Sequence, residues 1–160
     1  LPTDFWSKNL IKSGQTLACA ESCTGGGLSA RITDISGISA VFQGGVIAYD
    51  NAVKSGVLQV PVEELEQQGA VSQPVAEAMA LGVRQLLSTD FALSTTGVAG
   101  PGGGSADKPV GLVWMAIAGP QGVRSEKRLF SGNREQIRAQ AIEYSLQMLN
   151  TALIQSDTEY

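Results

Sequence analysis

An apolar run ending in Ala20-Glu21-Ser22-Cys23-Thr24-Gly25-Gly26-Gly27 constrains this chain more than any other feature. Gln15 to Glu21 reads as a strand and Gly26 to Thr33 as the helix after it. A hydroxyl and a thiol therefore stand at a strand–turn–helix corner. The first amides of a helix have no partner inside it. Such a corner offers N–H groups to an anion or a developing oxyanion. The chain has no histidine. That excludes a Ser-His-Asp triad, a Cys-His pair and any zinc site built on imidazole. If Ser22 is a nucleophile, its base must be Lys, Tyr, a carboxylate or an amine.

The remaining pattern alternates helices with strands. Thr3 is placed to cap a helix reaching Ser13, and Gly37-Ile38-Ser39 to make a turn. Phe42 to Tyr49 reads as a second strand, with Gly44-Gly45 marking a bulge or a close approach. Pro61 starts a small helix through Gln68. Ser72 and Pro74 start a longer one, with Val75, Met79, Val83 and Leu86 as its apolar stripe. Phe91 to Thr96 is a third strand, and Gly97 to Pro109 a long Gly/Pro loop. Val110 to Ala118 is unbroken and apolar, hence a central strand. Gly119-Pro120-Gln121-Gly122 turns it back into Val123 to Phe130, so these two strands are antiparallel. Asn133 and Gln136 form a capping box for a last helix to Gln155, buried through Ile137, Ala141, Ile142, Leu149 and Leu153. The expected fold is α/β: a three-layer α/β/α sandwich with a mixed, mainly parallel sheet of about five strands.

Composition narrows the partners. A chain of 160 residues suits a single domain over 1–160. Its net charge of −4 and lack of a basic stripe argue against nucleic acid. No apolar run is long enough to span a membrane. The N-terminus lacks the basic and apolar regions of a signal peptide and an initiator Met, so a trimmed or truncated chain is expected. Cys19 and Cys23 are too few and too close for a disulfide framework, and reduced thiols in the cytoplasm are expected.

Four stretches carry possible chemistry, each beside a plainer alternative. Ser22 is a nucleophile, or Ser22 and Thr24 merely cap a helix. Cys23 is a rival nucleophile, or a small buried hydrophobe. Tyr49 and Lys54 follow the second strand, and a parallel sheet would bring them to the same end as Ser22. A desolvated Lys54 suits a general base; otherwise it is a solvated surface lysine. Thr95, Thr96 and Gly97 open a glycine-rich loop too long for a mere connector, where backbone can approach a ligand. It is neither a Walker loop nor a dinucleotide fingerprint. Arg134 opposes the macrodipole at the start of the last helix. It makes sense if a phosphate lies between it and the free amides, with Arg138 one turn on; otherwise Glu135 offsets an exposed arginine.

These stretches resemble the nicotinamide-nucleotide amidase family, the domain also found at the C-terminus of competence/damage-inducible CinA proteins. The resemblance rests on Ala20-Glu21-Ser22-Cys23-Thr24-Gly25-Gly26, Tyr49-Asp50-Asn51-Ala52-Val53-Lys54, Gly69-Ala70-Val71-Ser72, Thr96 to Gly104 with Lys108-Pro109-Val110-Gly111, and Phe130-Ser131-Gly132-Asn133-Arg134. They run in the family's order over nearly the whole chain. The resemblance implies hydrolysis of the carboxamide of nicotinamide mononucleotide (NMN) to nicotinate mononucleotide and ammonia. It implies no metal, no cofactor and no macromolecular partner beyond a homodimer. Ser22 would attack, with Lys54 and Tyr49 activating it. The amides of Thr24, Gly25 and Gly26 would stabilise the oxyanion, and Thr96, Gly97, Arg134 and Arg138 would hold the substrate. Asp50, where the family often has Ser, places a charge that raises the pKa of Lys54; Asn133 stands where Asp is common. A second reading is an inactive paralogue that binds pyridine nucleotides. A third, a partner-binding protein in DNA uptake, comes from the family's name alone.

Overall fold

The computed structural model describes residues 4–158. Thr3, the expected first cap, lies outside them. Helix α1 (Phe5–Ser13) buries Trp6 and Leu10 and ends at left-handed Gly14. Strand β1 (Leu17–Glu21), helix α2 (Gly27–Thr33) and a 3₁₀ turn at Ile38–Ala40 precede strand β2 (Phe42–Ile47). Helices α3 (Asn51–Gly56), α4 (Val62–Gln68) and α5 (Gln73–Leu87) follow, then β3 (Phe91–Gly97), β4 (Leu112–Gly119), β5 (Gly122–Leu129) and α6 (Arg134–Thr158). Among the described residues, no helix is long and apolar enough to cross a membrane.

The five strands form one sheet in the order β2-β1-β3-β4-β5. β1 pairs in parallel with both β2 and β3, while β4 runs antiparallel to β3 and to β5. Four of the five strands thus run one way. β4 begins two residues later than expected and lies inside the sheet, but the middle strand is β3. The order reverses at β1, because the chain places β2 on one side of it and β3 on the other. In open α/β sheets such a reversal opens a crevice at the strands' carboxyl ends.

Period-two alternation divides the core in two. Leu17, Cys19, Phe91, Leu93, Val113, Met115 and Ile117 face α1, α2 and α6. Ala18, Ala20, Ala92, Ala116 and Ala118 face α5. Large side chains fill one side, and alanines let α5 lie close against the other. Elsewhere on α5, at Gly82, the segment between α3 and α4 comes so close that a Cβ would sit 2.1 Å from the Leu58 carbonyl. Val75, Met79 and Val83 are buried as the stripe requires, but Leu86 is exposed. Leu87 packs against the core in its place, because it lies four residues on from Val83 and so on the same face of the helix. Ser72 precedes α5 without capping it; its hydroxyl donates to the Gly69 carbonyl. The β1–β2 register shifts beside Gly44, and a Cβ on Gly45 would lie 2.6 Å from the Cys19 carbonyl, so the glycine pair marks both a bulge and a close approach.

Candidate active site

The topology brings the ends of β1, β2 and β3 and the start of α6 to one end of the sheet. There Ser22, Cys23, Tyr49, Asn51, Lys54, Thr96, Gly97 and Arg134 line a cleft of about 240 Å³, with Ala70, Val71 and Ala99. A cavity of about 170 Å³ at the opposite end, between the β4–β5 turn and α6, has Arg124 as its sole ionisable lining residue among the described residues.

Ser22 is held from below. Its N–H donates to Thr95 O (2.9 Å), so the β1–β3 ladder continues into the corner. Gly25 and Gly26 both take positive φ (58° and 98°), which an L side chain rarely adopts. Their turn is closed by Gly25 N–H to Ser22 O and Gly27 N–H to Thr24 O. The amides that open α2 are not free. The Glu21 carboxylate, 1% exposed, accepts from Leu28 N, Ser29 N, Ser29 Oγ and Thr24 Oγ1. The anion at this helix start is the protein's own side chain. Four donors replace the water that a buried carboxylate loses. The sequence signal for this was present, since an acid three residues before Thr24 can reach forward to the helix start.

Lys54 is the deciding group. Asp50 caps α3 by accepting from Ala52 N (2.9 Å), and the short helix turns Lys54 into the protein. Lys54 is 1% exposed, and its Nζ lies 3.1 Å from both Ser22 Oγ and Tyr49 O. It is not a solvated surface lysine. Burial lowers its pKa below the ordinary 10.5 by penalising the ammonium, while Asp50 and then Cys23 pull it back up. The expected effect of Asp50 is therefore real, and desolvation outweighs it.

Tyr49 contributes two groups with different partners. Its carbonyl accepts from Lys54, and its exposed phenol accepts from Arg134 Nη2 at 3.1 Å. The phenol thus faces Arg134 and not the Ser22–Lys54 pair. Arg134 also donates from Nη1 to Gly100 O (2.8 Å), so its guanidinium bridges two sides of the cleft on neutral acceptors. The reciprocal Asn133–Gln136 box forms as expected, at 2.9 Å in each direction. The first-turn amide of Gln136 is therefore capped, and Arg134 alone of these groups is offered to an anion.

Two of the expected ligand groups, the Arg138 guanidinium and the Gly25 amide, are engaged within the protein. Arg138 donates to Cys23 O (3.1 Å) and Thr24 O (2.8 Å), bracing the corner from outside the cleft. The Thr24 hydroxyl is enclosed between Glu21 and Thr95. Gly25 uses its amide within the turn. Thr96 does line the cleft, donating to Ala70 O at 2.9 Å. The glycine-rich loop is tied back by Lys108 Nζ, which donates to Gln68 O.

Cys23 is 6% exposed, and burial pushes its thiol up to about 12. It stays protonated at neutral pH and is a poor nucleophile there. We expect Cys23→Ala to keep at least a third of wild-type kcat/KM, roughly the scatter expected of one small truncation. Loss of activity in this variant together with survival of Ser22→Ala would transfer the nucleophile to the thiol.

A model of the CinA C-terminal domain matches residues 3–153. The chain belongs to the CinA C-terminal domain family. A CinA-like protein of Parasynechococcus marenigrum is 58% identical over 125 residues, covering 78% of this chain and 30% of that protein. This CinA domain thus spans less than a third of that relative's length. The protein named nicotinamide-nucleotide amidohydrolase PncC of Enterobacter agglomerans is 52% identical over 139 residues, covering 86% of this chain and 85% of that one. Among solved structures, a CinA superfamily protein of Klebsiella pneumoniae superposes with a TM-score of 0.92 at 33% identity, covering 96% of both chains. The α/β sandwich described above is therefore the fold of the CinA superfamily.

Proposed function

We propose that this CinA domain hydrolyses the carboxamide of NMN, giving nicotinate mononucleotide and ammonia. The reading rests on one contact: a buried amine 3.1 Å from the hydroxyl of Ser22, both lining the cleft. The name of the Enterobacter agglomerans relative supports the substrate. In the active protonation state the amine of Lys54 is neutral and Ser22 donates to it. As Ser22 Oγ attacks the carboxamide carbon, the proton passes to Lys54. The resulting ammonium gives that proton to the leaving nitrogen, the C–N bond breaks, and ammonia departs. A water deprotonated by Lys54 then attacks the acyl ester, releasing the carboxylate and restoring Ser22. Tyr49 serves through its carbonyl, which holds the amine on Ser22, and through its phenol, which holds Arg134. Ammonia release from NMN, followed with and without a chelator, tests the reaction; binding in calorimetry without ammonia would replace it by a nucleotide-binding module. The charge of Asp50 is the observation that favours that second reading, since it holds Lys54 toward its protonated form.

Arg134 is assigned to the substrate phosphate. Its two partners are neutral oxygens, which a phosphomonoester with close to two negative charges would displace. NMN is therefore expected to be a far better substrate than its riboside. Binding energy from the remote phosphate orients the carboxamide on Ser22, so losing it lowers affinity and turnover together. Arg134→Ala should narrow the gap between nucleotide and riboside, chiefly by harming the nucleotide. Equal kcat/KM for both in the wild type would place the anion site elsewhere.

A further inference from the structure

We propose that Asn51 tells a carboxamide from a carboxylate in this cleft, a role that rests on the amidase reading above. Asn51 opens α3 three residues before Lys54, so the two share one face of the helix. It lines the cleft together with Ser22, Lys54, Thr96 and Arg134. The other polar side chains there are engaged: Ser22 with Lys54, Thr96 with Ala70 O, Tyr49 and Arg134 with each other. Among the described residues, the side-chain amide of Asn51 has no hydrogen-bond partner. It is the uncommitted amide of the site, one helical turn from the base.

An asparagine side chain presents an acceptor and a two-proton donor side by side. A primary carboxamide presents the same pair in reverse, so the two can exchange N–H···O bonds. A carboxylate only accepts, and one of its oxygens would face the Asn51 Oδ1 lone pairs. Asn51 is exposed in the open cleft, so the discrimination acts once the bound nucleotide covers it and shuts water out, leaving the two facing acceptors unpaired. Substrate and product differ at this one position, so the contact that holds the amide in place opposes the acid once ammonia has left. Asn51 thereby favours substrate binding and product release through a single group.

The test uses the Ser22→Ala protein, which binds without turnover, and calorimetry with NMN and nicotinate mononucleotide. With Asn51 present, the amide is expected to bind roughly 10- to 100-fold tighter than the acid, the range of one or two hydrogen bonds. Adding Asn51→Ala should bring the ratio near one, mainly by weakening NMN. Adding Asn51→Asp, which keeps the shape and an acceptor but brings a charge, should weaken the acid further. In the otherwise wild-type enzyme, Asn51→Ala should raise KM and the product inhibition constant should fall toward it, while the pH profile set by Lys54 stays where it was. A ratio unchanged by Asn51→Ala overturns the proposal. Ammonia release by the wild type with that unchanged ratio overturns it alone. Discrimination that tracks Asn51 without any ammonia release upholds it and removes the amidase reading, and absence of binding by either nucleotide removes both.

Discussion

Ser22→Ala is expected to reduce ammonia release from NMN by on the order of 10³- to 10⁶-fold, the range for loss of a covalent nucleophile. Affinity for NMN should change little, because the hydroxyl is engaged with Lys54 and not with the parts of the cleft assigned to the phosphate. The fold should also persist. Ser22 is pinned by its backbone N–H on Thr95 O and by the Gly25–Gly26 turn, neither of which needs the hydroxyl. The measurement is a single-turnover assay beside calorimetry on the same preparation. Substantial residual turnover would mean that water, activated by Lys54, attacks without an acyl intermediate.

Lys54→Met should lower kcat/KM by roughly 10²- to 10⁴-fold, the usual contribution of a general base. In the wild type, kcat/KM should rise with pH as the Lys54 ammonium loses its proton, and the Met variant should lose that dependence. Asp50→Asn keeps a capping oxygen but removes the charge, so the rise should move to lower pH. The same burial has a consequence for stability. The folded pKa of Lys54 lies below the unfolded value, so between the two the native state binds fewer protons than the unfolded one. Stability then rises with pH through that window. Below it, folding must bury an ammonium. Lys54→Met should therefore melt higher than the wild type at neutral pH, with the advantage shrinking as pH climbs toward 10.5. Melting curves across pH check this. A Met variant less stable at neutral pH would show that the hydrogen bonds to Ser22 Oγ and Tyr49 O outweigh the buried charge.

Residue spacing alone does not place Lys54 against Ser22. From the sequence, Lys54 is one residue of a short polar helix, and such lysines ordinarily lie in water. Its burial is decided by Asp50 capping α3 and by the neighbouring β1 corner, which are more than twenty residues apart in the chain. The same holds for Arg138, which the i,i+4 spacing puts beside Arg134 but which turns to the carbonyls of Cys23 and Thr24. It holds again for the helix-start amides, which look open to a ligand until Glu21 is seen to fold back on them.

What the sequence determined by itself is local or periodic. Strand alternation, the Gly25–Gly26 corner, the Asn133–Gln136 box and the tight β4–β5 turn each depend on residues a few positions apart, whose preferences are set by backbone sterics and short-range hydrogen bonds. The absence of histidine likewise limits the chemistry in any fold. Which donors meet which acceptors was decided by the tertiary structure. The sheet order β2-β1-β3 brings Lys54 to Ser22, the return of β5 carries Arg134 to Tyr49, and close packing leaves Cys23 without the water its thiolate needs. Desolvation and partner choice act through space over a few ångströms, and sequence separation carries no information about those distances.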